Sequence, residues 1–344
     1  MIPACIGLVG AGRAGMVHAT NLMRYEPEAV LTAVVDERLD AAERVAAGGE
    51  RVQTFASLGE ALQEIDLDAV VITTPTFTHR DLTVQAAEAG KNVFCEKPMA
   101  LTVQDCRDMI DAANRAGVIL QIGFMRRFQP EFVEAKRRVE AGDIGEPMIV
   151  KSLTRGPGLP PPWAWDLRTS NGMLAEVNSH DFDCVRWLAG SDIERVYAET
   201  SNWKGADRGV TTPDFYDNAV VTLRFFSRAL GTIDGTCPAD YGYDARVELL
   251  GSQGLLIIGD VRGQPILEIR DREVGAIAPI HRTWPERFAE GYRAEMHAFV
   301  RALLDGRSPQ VTGEDGLHAV CGVIASNRSW QEERPVRVQE VMEG

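Results

Sequence analysis

Residues 4–15 constrain this chain more tightly than any other stretch. Residues 4–9 (Ala-Cys-Ile-Gly-Leu-Val) read as a buried strand, Gly10-Ala11-Gly12-Arg13-Ala14-Gly15 follows without a spacer, and a helical pattern runs over 16–25. A G-x-G-x-x-G set between strand and helix leaves few folds open, because each glycine has its own steric reason. Gly10 permits the tight turn, Gly12 lets backbone approach a pyrophosphate, and Gly15 lets helix and strand pack closely. The start of that helix adds free N–H groups and the positive end of a dipole, which suit phosphate, and Ala11, Arg13 and Ala14 join the glycines as expected cofactor contacts.

The next strand, 30–35, ends at Asp36, about 20 residues past the glycines, where an acid takes the ribose hydroxyls of an adenosine. A carboxylate there repels a 2′-phosphate, so NAD is expected over NADP; the neighbouring Arg38 pulls the other way. Further strands over 52–55, 68–73, 92–95 and 118–122 alternate with helices over 57–65, 78–89 and 102–116. Ser57 with Glu60, Thr78 and Thr102 read as caps, and Gly90 and Gly117 as stops. That alternation predicts a doubly wound parallel sheet over residues 1–123. Thr73, Thr74 and Pro75 fall at the end of the fourth strand, beside the expected dinucleotide crevice. His79 opens the next helix, as a cofactor neighbour or as a plain solvent-facing residue.

The fifth strand ends in Glu96-Lys97-Pro98. Ligands of an open parallel sheet bind outside the carboxyl ends of its strands. Lys97 is therefore expected over a ligand, and a desolvated lysine shifts its pKa readily.

A length of 344 residues exceeds one ordinary core and suits two domains. The second is expected over residues 124–344 as an α+β domain with a large, mostly antiparallel sheet, from strand patterns over 148–154, 193–203, 217–226, 229–236, 243–250 and 254–259. A net charge of −14 argues against nucleic acid and against anionic membrane surfaces. The N-terminus lacks a basic signal-peptide region, and no apolar run approaches the ~20 residues that span a bilayer. The six cysteines are scattered without a C-x-x-C pair, which points to reduced thiols in a cytoplasmic protein and to no metal site.

One helix of this half, expected over 172–189, carries Glu176, His180, Asp183 and Trp187 within a ~60° stripe at 100° per residue. The stripe borders the apolar face, where burial moves pKa values. Glu176 and His180, four apart, are expected to touch, the carboxylate orienting the imidazole. Asp181 falls in the apolar arc without a reason. Arg126 and Arg127 leave the sixth strand as surface charge or as substrate contacts. In the loop after Arg155, Trp163 and Trp165 either wall a pocket or pack the loop down. Tyr243 opens a strand. Two helices, 286–304 and 314–331, close the chain, with Trp284 leading in.

Taken in order, Gly10-x-Gly12-x-x-Gly15, Thr74-Pro75 with His79, Glu96-Lys97-Pro98, and Gly172-x-Leu174-x-Glu176-x-x-x-His180-x-x-Asp183 with Trp187-Leu188 resemble one family over essentially the whole chain. It is the glucose–fructose oxidoreductase, inositol dehydrogenase and rhizopine-catabolism family (Gfo/Idh/MocA). Residues 123–128 with Tyr243, Trp284 and Tyr292 look most like its inositol 2-dehydrogenases. The resemblance implies Lys97 and His180 flanking a reacting carbinol, Glu96 on the cofactor ribose, and Arg127, Asp183 and Tyr243 on substrate hydroxyls. The expected substrate set also includes Met125, Arg155, Trp165 and Trp284, although the Arg155 to Trp165 loop departs from the family pattern; the resemblance makes a cis bond before Pro98 expected and implies a homo-oligomer, dimer or tetramer, formed through the second sheet. The family pattern has aspartate where this chain has Glu176.

The expectation is an NAD-dependent dehydrogenase oxidising a cyclitol alcohol to a ketone, with His180, Glu176 and Lys97 as the catalytic group. A sugar or glycoside dehydrogenase of the same family is the alternative, motivated by Glu176 and the tryptophan loop. A non-catalytic dinucleotide sensor is a third reading, opposed by the retention of both Lys97 and His180.

Overall fold

The computed structural model describes residues 3–259 and 281–343. It forms two compact units, Met1–Phe128 with Ala289–Leu317, and Gln129–Phe288 with His318–Gly344.

In the first unit, β1 (Ala4–Val9), β2 (Ala29–Val35), β3 (Gln53–Phe55), β4 (Ala69–Ile72), β5 (Asn92–Glu96) and β6 (Leu120–Gly123) pair in parallel in the order β3-β2-β1-β4-β5-β6. All four residues of β4 are fully buried, as a strand covered on both faces must be. The strand order reverses between β1 and β4, so the carboxyl ends of those two strands flank the crevice. Thr102 caps its helix by accepting the Asp105 N–H at 3.0 Å. Thr78 does not cap; its hydroxyl donates to Thr74 Oγ1 at 2.6 Å.

Helix Ala289–Asp305 belongs to this unit, not to a continuous second domain over 124–344. Its Met296, Phe299 and Val300 join Ile6, Leu8, Val34, Val71 and Phe94 in one core cluster. An apolar helical stripe shows in sequence; which sheet it covers does not. The sequence also hid the helix's lead-in, a separate short turn, Trp284–Arg287.

The second unit holds β7 (Pro147–Arg155), β8 (Ile193–Ser201), β9 (Asn218–Phe225), β10 (Leu230–Thr236), β11 (Asp244–Gly251), β12 (Leu255–Ile258) and β13 (Val336–Arg337), in the order β12-β11-β7-β10-β9-β8-β13. Among the described residues only β7 and β10 pair in parallel. β13, two residues long, is too short to show a period.

The helix expected over 172–189 is two helices, Gly172–Glu176 and Ser179–Ala189. The break frees Asn178, whose amide donates to Asp181 Oδ2 at 2.8 Å. Asp181 also accepts from Ser152 Oγ at 2.5 Å and Thr154 Oγ1 at 2.7 Å, both on the inward face of β7. The misplaced acid of the apolar arc is thus a buried carboxylate with three donors, and it fixes the helix to the sheet. Gly235 on β10 makes room for this arrangement, since a Cβ there would lie 2.1 Å from Asn178 Oδ1.

Asp181→Ala strands those three buried donors. Unpartnered buried donors cost about 1–3 kcal/mol each. Urea unfolding followed by circular dichroism should show a stability loss on the order of 3 kcal/mol; a loss inside measurement error contradicts this role.

Candidate functional site

The first unit carries a phosphate cradle. Gly10 sits at φ +101°, a left-handed backbone, and a Cβ there would lie 2.8 Å from the Thr73 carbonyl carbon. A Cβ on Gly15 would come within 2.0 Å of the Gly10 carbonyl oxygen. Those two glycines are demanded by the protein's own packing. Gly12 is different, because a Cβ there meets nothing within 4 Å. Its face is open, which fits a pyrophosphate laid against the backbone. Gly12 is also the N-cap of helix Arg13–Tyr25 and makes no side-chain cap, so the first-turn N–H groups at Arg13 and Ala14 are left to an incoming anion. Thr73 braces the turn by donating its hydroxyl to Gly10 O at 2.7 Å.

Asp36 follows β2, and its carboxylate is fixed by two backbone donors, Ala11 N–H at 2.9 Å and Arg38 N–H at 3.0 Å. The remaining lone pairs suit a ribose diol. The Arg38 guanidinium is 3.7 Å from Asp36 and its side chain is 71% exposed, so it weakens the acid's local field little.

His79 is not a solvent-facing residue. It is buried, with Nε2 2.9 Å from Thr74 O and Nδ1 2.9 Å from Pro98 O. Burial is the largest influence on the ring and lowers its basicity, against the two carbonyls and the charge of Glu96. A neutral ring donates to one of the carbonyls only. That single N–H ties the ring to the loop after β4 or to the loop after β5, and the bare nitrogen rests against the other carbonyl.

The Lys97–Pro98 bond is cis. Glu96 is buried, and its carboxylate faces inward. Oε1 takes a 2.7 Å hydrogen bond from His18 Nε2, and Oε2 accepts the Lys97 N–H at 3.0 Å. Its place is kept by Gly123, its register partner on β6, where a Cβ would come 3.1 Å from the Glu96 carboxyl carbon. Glu96 therefore shapes the Lys97 turn, where the sequence suggested a ribose contact. His18 is a partner of Glu96 that sequence reading missed, since one histidine on an otherwise ordinary helix carries no signal. Met125 is buried, and Arg127 is buried and paired with Asp315 at 2.9 Å.

In the second unit, His180 and Asp183 are both buried on helix Ser179–Ala189, three apart and so on one face. Glu176 ends the preceding short helix, and the break at 177–178 removes the helical basis for an i,i+4 contact with His180. Tyr243 is buried edge-on against Phe288 at 6.2 Å, and the Phe288 N–H bonds to Trp284 O at 3.0 Å. Trp165 serves its own loop, donating Nε1 to Pro160 O at 2.9 Å and packing edge-on against Phe215. Arg155 is on the wrong side for the expected substrate role. Side chains alternate along a strand, so Arg155 faces away from Ser152, Thr154 and the His180 helix. There it pairs with Asp234 at 2.9 Å, which holds its guanidinium strongly protonated.

A parallel sheet in the order 3-2-1-4-5-6, with a glycine cradle and an acid after its second strand, defines an NAD-binding oxidoreductase. Residues 5–124 match the model of the Gfo/Idh/MocA oxidoreductase family with its NAD-binding Rossmann fold, and residues 132–257 match that family's C-terminal domain. The chain belongs to that family. It is 35% identical to the myo-inositol 2-dehydrogenase of Thermotoga maritima, across 98% of this chain and 99% of the relative. It is 34% identical to the NAD(+)-dependent scyllo-inositol 2-dehydrogenase of Bacillus subtilis, across 96% and 95%. The scyllo-inositol dehydrogenase of Lactobacillus casei, solved with NAD(H) and scyllo-inositol, superposes with a TM-score of 0.85 at 26% identity, covering 98% of this chain and 99% of that one.

Two variants check the cradle. Gly15→Ala should abolish NAD binding, because its Cβ has no space against Gly10 O; retained affinity in a fluorescence titration would contradict the packing. Asp36→Ala should weaken NAD binding by roughly 10-fold or more, the scale of a charge-assisted hydrogen bond, while narrowing the gap to NADP. An unchanged NAD-to-NADP ratio removes Asp36 from the ribose site.

Proposed function

We propose that this chain is an NAD-dependent dehydrogenase that oxidises a ring secondary alcohol of an inositol-type cyclitol to a ketone. The observation that carries it is the pair of inward-facing groups His180 and Asp183 on one helix face, in a chain that also keeps the Gly12 cradle and the Glu96-Lys97-Pro98 turn. Inositol dehydrogenases from Thermotoga and Bacillus, similar over nearly their full length, support the substrate class.

The reaction is R₂CH–OH to R₂C=O, with a hydride and a proton leaving. NAD, when bound, supplies the hydride acceptor. The phosphates would lie on the N–H groups at Gly12 to Ala14, and the adenosine ribose on Asp36. His180 takes the hydroxyl proton, which needs a neutral imidazole with one bare nitrogen. Lys97, as an ammonium donor, stabilises negative charge on the carbinol oxygen as that proton leaves. A positioned base of this kind contributes about 10²–10⁴-fold. Asp183 and Tyr243 hold neighbouring ring hydroxyls. Arg127, paired with Asp315, either reaches a hydroxyl or orients the turn at 125–128.

The reading extends to assembly and location. Val220, Leu230, Leu255 and Ile257 are about half exposed and share the outward face of the second sheet, which favours a homo-oligomer joined through it. Among the described residues no helix is long and apolar enough to cross a membrane. The six cysteines are free thiols, which supports a reducing, cytoplasmic setting.

A dehydrogenase screen at 340 nm with myo-inositol, scyllo-inositol, glucose and levoglucosan tests the substrate. An inositol should be the preferred substrate; turnover of glucose or levoglucosan alone overturns the cyclitol assignment. His180→Ala and Lys97→Ala should each lower kcat by about 10²–10⁴-fold with NAD affinity little changed. Near wild-type turnover in either removes that residue from the proton chemistry. Light scattering on purified protein should give a dimer or tetramer, and a monomer mass overturns the assembly.

A further inference from the structure

Beneath the Lys97 turn lies a buried group that the reaction above leaves unused. His18, Glu96 and Glu295 bring one nitrogen and two carboxylate oxygens within 4.8 Å of one another, and all three residues are buried. Glu96 accepts one hydrogen bond on each oxygen, from His18 Nε2 and from the Lys97 N–H, and keeps a lone pair on each. Glu295 is fully buried, and neither of its carboxylate oxygens has a hydrogen-bond partner. Its backbone is held in place, with its carbonyl accepting from Gln121 Nε2 at 3.3 Å. Aromatic rings enclose the cluster, with Phe94 and Tyr292 edge-on to His18 at 5.0 and 5.6 Å.

Resting on the dehydrogenase reading, we propose that Glu295 is a positioning residue for Lys97: it gives a hydrogen bond to the Glu96 carboxylate, which in turn holds the Lys97 backbone N–H. The charge balance supports this. An isolated buried carboxylate is too costly to keep, and two side by side are worse. His18 offers little relief. Its Nδ1 is buried without a partner, so a second ring proton would be stranded there. One proton must then sit on the two carboxyls. Glu96 already accepts from two donors and is the better anion, which leaves the proton on Glu295. Burial first, and the charge of Glu96 second, hold the Glu295 carboxyl well above the usual carboxylate range. A Glu295 oxygen lies within 4.8 Å of a Glu96 oxygen, so Glu96 is the carboxylate within reach of that O–H.

Among the described residues, the titratable groups of this cluster are Glu96 from β5, His18 from helix Arg13–Tyr25 and Tyr292 from Glu295's own helix, edge-on to His18, while the uncharged Gln121 from β6 meets the Glu295 backbone. A glutamate protonated in the folded state but ionised in the unfolded chain weakens folding as pH rises above about 4.3. Glu295→Gln keeps a donor and removes that titration.

The test compares wild type, Glu295→Gln and Glu295→Met. Unfolding free energies measured from about pH 5 to pH 8 need no substrate, so they stand even if the cyclitol assignment fails. Glu295→Gln should gain stability over wild type steadily across that range. Parallel curves would mean an ionised Glu295 and overturn the proposal. With whichever polyol the wild type oxidises, Glu295→Met should lose roughly 10-fold in kcat, the scale typical of lost supporting hydrogen bonds, with KM for NAD nearly unchanged. Glu295→Gln should recover most of that loss. Equal losses in both variants, or none in Met, overturn the positioning role. If Glu295→Met fails to fold, the pH comparison of Glu295→Gln decides alone. Elemental analysis finding one divalent cation per chain in wild type, lost in Glu295→Gln, would make the cluster a cation site and also overturn it.

Discussion

Gly15 lies so close to the Gly10 carbonyl that a methyl group would sit 2.0 Å from its oxygen. Everything the first unit does with a dinucleotide depends on that approach. It lets the helix begin directly over the end of β1, so its N-terminal N–H groups and the open face of Gly12 point the same way. Thr73 stiffens the turn from β4 through its bond to Gly10 O. The cradle is therefore set by the chain's own packing before any ligand arrives, and little ordering remains to be paid for on binding.

Each unit meets the problem of a buried carboxylate differently. Asp181 has three donors on it and acts as a fastener between a helix and β7. Glu295 has none, and burial beside Glu96 pushes it toward the neutral acid. Glu96 stands between, with one oxygen for His18 and one for the Lys97 N–H. The Lys97 turn is shaped on one side by that pairing and on the other by His79, which is buried between the Thr74 and Pro98 carbonyls. Glu96 and His79, which sequence reading placed against ligand, are buried beside the backbone of Lys97, Thr74 and Pro98.

Much of the site was legible because certain chemistry permits few residue types at fixed spacing. The glycine triplet, Asp36 and the Glu96-Lys97-Pro98 strand end are local signals, and the parallel order of β1 to β6 follows from helices alternating with strands. His180 and Asp183 were legible as a helical face. What failed were inferences that assumed local continuity. The helix through Glu176 and His180 is broken at 177–178, because Asn178 is needed on Asp181. Arg155 was grouped with the substrate by its neighbourhood in sequence, but strand alternation turns it outward to Asp234.

The sequence by itself determined the glycine turn between β1 and its helix, the acid that follows β2, and the residue types available for moving a proton. Those depend on backbone geometry and spacing within a few residues. Only the tertiary structure decided that helix Ala289–Asp305 returns to the first sheet, that His18 and Glu295 converge beneath Glu96, and that Asp181 is a fastener. These are contacts between residues far apart in the chain. An apolar stripe or a lone acid has the same appearance in sequence whichever surface it packs against, and burial, which sets its charge state, exists only once the chain has folded.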